Sequence, residues 1–233
     1  MTRAVFLSGA SAPEIFDEVT INRRPGLVMA RLDGPTLTQA TKSKDVSYAE
    51  AGAILAGALH SVHRTPPPPD MPFLRDYIDS HLRRARGILS NRVIAGIFAL
   101  IGRLSPGDGL CHGDPNPGNV IMTADGPKLI DWTGAMRAPA AFDLASAHVM
   151  LTELAPYIAD DPKRPPAINA AMQAAYAALV RTSPLALAAL VQPYLPVVRA
   201  LLLLSRAVPA HEARLVQHLE AHFPAKTGRE GGA

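Results

Sequence analysis

The stretch LCHGDPNPGNVIMTADGPKLIDW, Leu110 to Trp132, gathers Asp114, Asn119 and Asp131. Two carboxylates and an amide oxygen are hard donors. They suit Mg²⁺, which keeps a few protein oxygens and takes its remaining ligands from water and phosphates. For such chemistry the three must converge, and the sequence supplies the means. Val120-Ile121-Met122 and Lys128-Leu129-Ile130 read as short apolar strands. Thr123-Ala124-Asp125-Gly126 between them reads as a hairpin turn, with Asp-Gly its strongest mark. Asn119 stands just before the first strand and Asp131 just after the second, so they are neighbours at the open end of the hairpin. Asp114 lies upstream in a Pro/Gly-rich loop. Asp and Asn are also ordinary turn residues beside Pro and Gly. The constellation, not any one member, points to chemistry.

The remaining elements form the frame. Ile15–Ile21 and Leu27–Leu32 are rich in β-formers, and Asn22-Arg23-Arg24-Pro25-Gly26 between them is turn chemistry, which predicts a hairpin. Asp33-Gly34-Pro35 ends it. Ser47-Tyr48-Ala49-Glu50 is a capping box, and Ala51, Ile54, Leu55, Ala58, Leu59 and Val62 make one helical face after it. Pro66–Pro69 stops that helix as a stiff connector. Helices are expected over about 71–86 and 91–104, from Phe142 to about Leu154, over Ile168–Leu179, and over 184–206 and 210–221 with breaks at Pro193 and Pro196. The tail KTGREGGA is expected to fray.

Three segments together carry a resemblance. His112-Gly113-Asp114-Pro115-Asn116-Pro117-Gly118-Asn119, then Leu129-Ile130-Asp131-Trp132, then Phe142-Asp143-Leu144-Ala145 resemble the aminoglycoside phosphotransferase/choline kinase-like family. The D-x-x-x-x-N spacing of Asp114 and Asn119 is also that of a kinase catalytic loop. Gly26–Leu37 looks like that family's segment joining two lobes, and Leu59-His60 fits as well. The resemblance runs from about Ala12 to at least His148. It implies an α+β, protein-kinase-like fold: a reduced β N-lobe of one hairpin (residues 1–34) and a mainly helical C-lobe with an embedded hairpin (35–233). It implies an ATP- or GTP-dependent, Mg²⁺-assisted kinase acting on a small-molecule hydroxyl. Asp114 would be the catalytic base or substrate-orienting carboxylate, with His112 supporting its loop by hydrogen bonding. Asn119 and Asp131 would be the Mg²⁺ ligands, and Asp143 structural support. The backbone of Val28, Met29, Ala30 and Arg31 would meet the nucleotide base. The acceptor would be chosen by residues 144–220, where Glu153, Asp160 and Asp161 are the candidates for a cationic substrate. With so few carboxylates, an aminoglycoside is a poor default.

The family's Gly-rich turn, phosphate-binding Lys and helix Glu have no counterpart here. Gly9 is the only Gly before Gly26, no Lys precedes Lys42, and the first Glu is Glu14. This opens a second reading, a pseudokinase-like binding protein, and a third, a reading frame beginning upstream. It also leaves the edge of the second hairpin strand open, which predicts a homodimer through that edge, a repurposed N-terminal segment, or poor solubility.

Composition excludes other classes. The 233 residues are 48% hydrophobic, a globular composition. A net charge of +3, dense only at Arg83–Arg86, argues against nucleic acid as partner, and those arginines read as a solvated helix face. The single cysteine, Cys111, suits a reducing cytoplasm and reads as packing. Leu185–Leu204 is the most apolar stretch, but Gln192, Pro193, Pro196 and Arg199 make it a buried helical pair and not a membrane span. His60 and His63 have the spacing of a metal pair without a third ligand, so they read as a helix-end pair. Trp132 reads as packing.

Overall fold

The computed structural model describes residues 1–83, 87–205 and 211–224. The chain opens with a short helix, α1 (Thr2–Leu7), then a hairpin of β1 (Ile15–Ile21) and β2 (Arg24–Met29). The hairpin turn is tighter than its composition suggests. Only Asn22 and Arg23 lie between the strands, both at positive φ (51° and 63°), the conformation whose twist suits a two-residue hairpin. Pro25 and Gly26 therefore sit inside β2, opposite Thr20 and Val19, and the strand ends at Met29 and not Leu32. Proline is tolerated there because no strand lies on the outer side of β2 among the described residues.

After the hairpin the chain is mostly helical: α2 (Leu37–Lys42), α3 (Tyr48–Arg64), α4 (Leu74–Leu82), α5 (Asn91–Ile101), α6 (Ala140–Val149), α7 (Arg164–Leu179), α8 (Pro184–Val191), α9 (Leu195–Ser205) and α10 (Glu212–His222). Local chemistry sets their starts. Ser47 Oγ accepts from the Glu50 N–H at 3.2 Å, and the Glu50 carboxylate accepts from the Ser47 N–H at 2.9 Å. Thr36 and Gln39 make the same reciprocal pair ahead of α2. The apolar stripe of α3 (Ala51, Leu55, Leu59, Val62) is buried, and α3 packs along α7, whose Ile168, Met172 and Tyr176 are buried in turn. Each buried Leu, Val, Ile or Met among them contributes about 1.5–3 kcal/mol.

Several boundaries differ from the sequence reading. The helix expected over 71–86 is the shorter α4. Arg83 is exposed and paired with Asp79, while Arg84–Arg86 lie outside the described residues, as does the tail 225–233. The helix from Phe142 begins at Ala140 and, after Val149, widens into a π turn over Met150–Leu154. The stretch 184–205 breaks into α8 and α9 at a 3-10 turn over Gln192–Tyr194. Pro184–Leu203 is long and apolar enough to pass for a membrane span, yet Leu187, Val191, Tyr194, Val197, Val198 and Leu203 are core residues.

The embedded hairpin is β4 (Val120–Thr123) with β5 (Gly126–Leu129). Both its edges are covered. Met122 N–H donates to the Pro35 carbonyl (2.9 Å) on one side, and Leu129 N–H donates to the Ser11 carbonyl (2.8 Å) on the other. Gly34, at φ +151°, lies so close that a Cβ would sit 1.9 Å from the Met122 carbonyl oxygen. A second pair, β3 (Gly109–Cys111) with β6 (Met136–Ala138), was not foreseen in the sequence. One continuous core runs from Val5 in α1 to Leu219 in α10.

Candidate active site

The site is built where β3 and the embedded hairpin emerge together. β3 delivers His112 and Asp114, β4 starts at Asn119, and β5 ends before Asp131. Ile130 N–H donates to the Asn119 carbonyl at 2.9 Å, which closes the open end of the hairpin and sets Asp131 beside Asn119. The Asn119 amide donates to both the Asp114 carbonyl (2.9 Å) and the Asp114 carboxylate (3.1 Å). Asn116 holds the other carboxylate oxygen at 3.1 Å. Asp131 takes a left-handed backbone (φ 60°, ψ 63°), and one of its oxygens accepts from the Thr133 hydroxyl at 2.6 Å. A non-glycine residue held there is strained, and such strain gathers at functional positions. The structure thus joins Asp114 and Asn119 by direct hydrogen bonds and sets the Asp131 loop beside them.

The Asp114 and Asp131 loops touch through glycine. Gly113 has φ +88°, and a Cβ on it would lie 2.1 Å from the Gly134 carbonyl oxygen. His112 is fully buried, with its ring 4.6 Å from that of Trp132. Its Nε2–H donates to the Ile130 carbonyl at 2.9 Å, which leaves Nδ1 to accept the Asp114 N–H at 3.3 Å. Both nitrogens are therefore spent on holding the two loops, and His112 positions Asp114.

Asp143 lies under this arrangement, fully buried. Its carboxylate accepts the His112 N–H (2.7 Å), the Gly113 N–H (2.8 Å) and His63 Nε2–H (3.1 Å). Burial on its own raises its pKa, but the His63 hydrogen bond and charge, with His112 and the Gly113 N–H, outweigh it and hold the carboxyl below its ordinary value. It makes no cap to its own helix, whose N-cap is Pro139. His63 Nδ1 is 2.7 Å from the Tyr176 hydroxyl, whose own pKa burial pushes upward.

His63 is the residue that sequence reasoning underrated. Its i+3 relation to His60 suggested a helix-end pair, and no local signal names a partner eighty residues away. Among the described residues, His63, Cys111 and Asp143 are the one group of metal-type donors clustered within 4.8 Å. They are not a metal site. The carboxylate oxygens face N–H donors, and burial, with the Asp143 charge, keeps the Cys111 thiol protonated.

The residues that could hold a cation are instead Asn119 and Asp131. Because the Asn119 nitrogen is the donating end, its Oδ1 is left as an acceptor, and the second Asp131 oxygen is likewise uncommitted in the hydrogen bonds above. Two hard oxygens, with Asp131 exposed, are of the donor type that suits Mg²⁺. Val28 and Met29 end β2 at 42% and 44% exposure. The Ala30 N–H is taken by the Glu14 carbonyl at 2.8 Å, and the Arg31 side chain pairs with Asp33 in solvent. From there the chain runs over Gly34-Pro35 onto β4, which joins this segment to the Asn119 loop.

A cavity of about 330 Å³ opens against Asp114, walled by Tyr77, Phe142, Met150, Val198, Leu201 and Leu202. The three acids expected to greet a cationic substrate do not reach it as free groups. Glu153 is paired with Arg199 (2.6 Å) and His218 (3.3 Å), Asp160 with Arg164 and Lys42, and Asp161 with the Tyr48 hydroxyl (2.6 Å).

The sequence matches the phosphotransferase enzyme family over residues 4–190, most of the chain. The chain belongs to that family. No curated protein matches. Three solved structures of family type share the fold with this member. A thermostable mutant of aminoglycoside phosphotransferase APH(4)-Ia, in ternary complex with ADP and hygromycin B, has a TM-score of 0.61 at 16% identity, covering 97% of this chain and 83% of that one. Aminoglycoside-3'-phosphotransferase of type VIII has 0.57 at 22%, covering 82% and 77%. A choline/ethanolamine kinase family protein from Mesorhizobium loti has 0.58 at 16%, covering 97% and 77%. The fold is therefore kinase-like, with the β1–β2 hairpin as its reduced N-terminal lobe.

Proposed function

We propose that this family member transfers the γ-phosphoryl group of ATP (or GTP) to a hydroxyl of a small molecule, assisted by Mg²⁺. The observation that carries the reading is the Asp114–Asn119–Asp131 group on loops locked by His112, Gly113 and Asp143. Phosphoryl transfer depends on positioning and charge far more than on covalent chemistry by the protein. Asp114 orients the acceptor hydroxyl and takes its proton. Asn119 and Asp131 hold Mg²⁺, which when bound supplies charge neutralisation at the nucleotide phosphates. The Val28–Arg31 backbone meets the base, with residues 1–34 as the hinge-bearing part and 35–233 as the catalytic lobe. His112 and Asp143 keep the Asp114 loop in place. The nucleotide and the free, buried Cys111 thiol suit the cytoplasm.

A second reading is a binding protein with slow or no turnover. The exposure of Val28 and Met29 favours it, because one hairpin covers the base-binding segment from one side only. The open β2 edge, with Phe16 and Leu27 exposed on the same hairpin, suggests a second copy of the chain as its cover.

ADP release from Mg-ATP, with Asp114→Asn as comparison, separates the two. The kinase reading expects turnover that falls about 10²–10⁴-fold in the variant. Mg-ATP binding with no ADP release from the wild-type chain, whatever acceptor is offered, leaves the binding reading alone standing.

A further inference from the structure

The cavity against Asp114 is mostly apolar where helices wall it, and Thr133, Ser146 and the Gly113 and Gly134 loops form its polar side. Tyr77 comes from α4, Phe142 from α6, Met150 from the π turn, and Val198, Leu201 and Leu202 from α9. Among the described residues that line it, Asp114 is the sole charged side chain. That carboxylate is engaged by Asn116 and Asn119. Ser146 contributes little to a ligand, because its hydroxyl donates to the Gly113 carbonyl at 3.1 Å. An ammonium group brought here would lose its water and find no second carboxylate among the described lining residues, which is a strong penalty for a buried charge. The acids nearby in sequence cannot supply one. Arg199 and His218 already hold Glu153, and Asp160 and Asp161 are occupied by Arg164, Lys42 and Tyr48. Apolar matter, by contrast, gains by burial in this space.

We infer that the acceptor is a neutral alcohol on a compact apolar body, such as one ring or a short branched chain, seated between α4, α6 and α9 with its hydroxyl at Asp114. This rests on the kinase reading for its chemistry. The acceptor oxygen forms the new bond to the γ-phosphorus of ATP, and the bond from that phosphorus to the β-bridging oxygen breaks. ADP leaves with the electron pair, and the hydroxyl proton passes to the Asp114 carboxylate.

The pocket and the kinase reading are tested by separate readouts. Saturation-transfer NMR on the whole chain without nucleotide compares 2-phenylethanol and cyclohexylmethanol with choline, ethanolamine and an aminoglycoside. The neutral alcohols should bind at least about tenfold more tightly than the cations. Leu201→Trp, which fills the cavity from α9, and Met150→Trp, which fills it from the π turn, should each weaken alcohol binding by about tenfold or more. Phosphorus NMR with Mg-ATP should then show a phosphate ester of the alcohol. Preferential binding of the cations, no alcohol binding by the wild-type chain, or alcohol binding indifferent to both substitutions would overturn the inference. Pocket-dependent alcohol binding without any ester would leave the pocket standing and count against the kinase reading instead.

Discussion

Replacing Asp143 by Ala should do more damage than its distance from any ligand suggests. The fully buried carboxylate accepts the His112 and Gly113 N–H groups and His63 Nε2–H. Its removal orphans one buried and one partly buried backbone donor, at about 1–3 kcal/mol each. Treated as the breaking of a buried ion pair, the same change costs about 3–5 kcal/mol, in agreement. For a chain of this size that is roughly 6–20 °C in Tm. Trp132, the single tryptophan, is fully buried and lies 4.6 Å ring to ring from His112, so its fluorescence reports directly on the loop that Asp143 braces. Urea unfolding followed at Trp132 should show a loss of about 3–5 kcal/mol for Asp143→Ala, less for Asp143→Asn, which keeps one acceptor oxygen. His63→Ala should cost about 1.5–3 kcal/mol and add poorly to Asp143→Ala, since both remove the same contact. A loss under about 1 kcal/mol for Asp143→Ala would refute the claim that this carboxylate holds the loop.

Three further outcomes follow from the same geometry. The folded-state pKa of Asp143 lies below its ordinary 3.8, so the stability it adds is present above that value and is lost as pH falls through the lower folded value. Urea midpoints of the wild-type chain should therefore drop on acidification below that range more steeply than those of Asp143→Asn, and parallel curves would contradict the linkage. Gly113→Ala should cost about 1–3 kcal/mol or more by thermal unfolding, because φ +88° is strained for alanine and its Cβ would meet the Gly134 carbonyl at 2.1 Å; a neutral result would mean the two loops are not in contact. If a second copy covers the β2 edge, light scattering should find a dimer whose fraction falls in Leu27→Lys, and a wild-type monomer at high concentration would reject that cover.

What the sequence made legible was set by local chemistry. The turn within Thr123–Gly126, the Ser47/Glu50 box and the α3 stripe each depend on residues a few positions apart, and they appear where expected, although the two loop residues are Ala124 and Asp125, with Gly126 opening β5. The grouping of Asp114, Asn119 and Asp131 was readable for the same reason, since hairpin geometry alone makes Asn119 and Asp131 neighbours. Longer-range features were not readable. β3 and β6 are three residues each, too short to show alternation, and they pair across the whole hairpin. His63 meets Asp143 only because α3 packs beside the loop. The Asn22-Arg23 turn hid because arginine rarely signals positive φ, while Pro25 and Gly26 beside it do resemble a turn. Glu153, Asp160 and Asp161 looked available because their partners Arg199, Lys42 and Tyr48 stand far off in sequence.

Under the proposed function, Asn119 and Asp131 hold a metal-bound nucleotide beneath the Val28–Arg31 hinge. Titration calorimetry of ATP into the whole chain, with and without Mg²⁺, and with Asp131→Ala in parallel, tests it most directly. The account predicts Mg²⁺-dependent binding in the micromolar range, about −8 kcal/mol, that is lost in the variant while its thermal unfolding stays close to wild type. A folded wild-type chain that binds no ATP, or binds it equally with and without Mg²⁺ and with and without the Asp131 carboxylate, would contradict it.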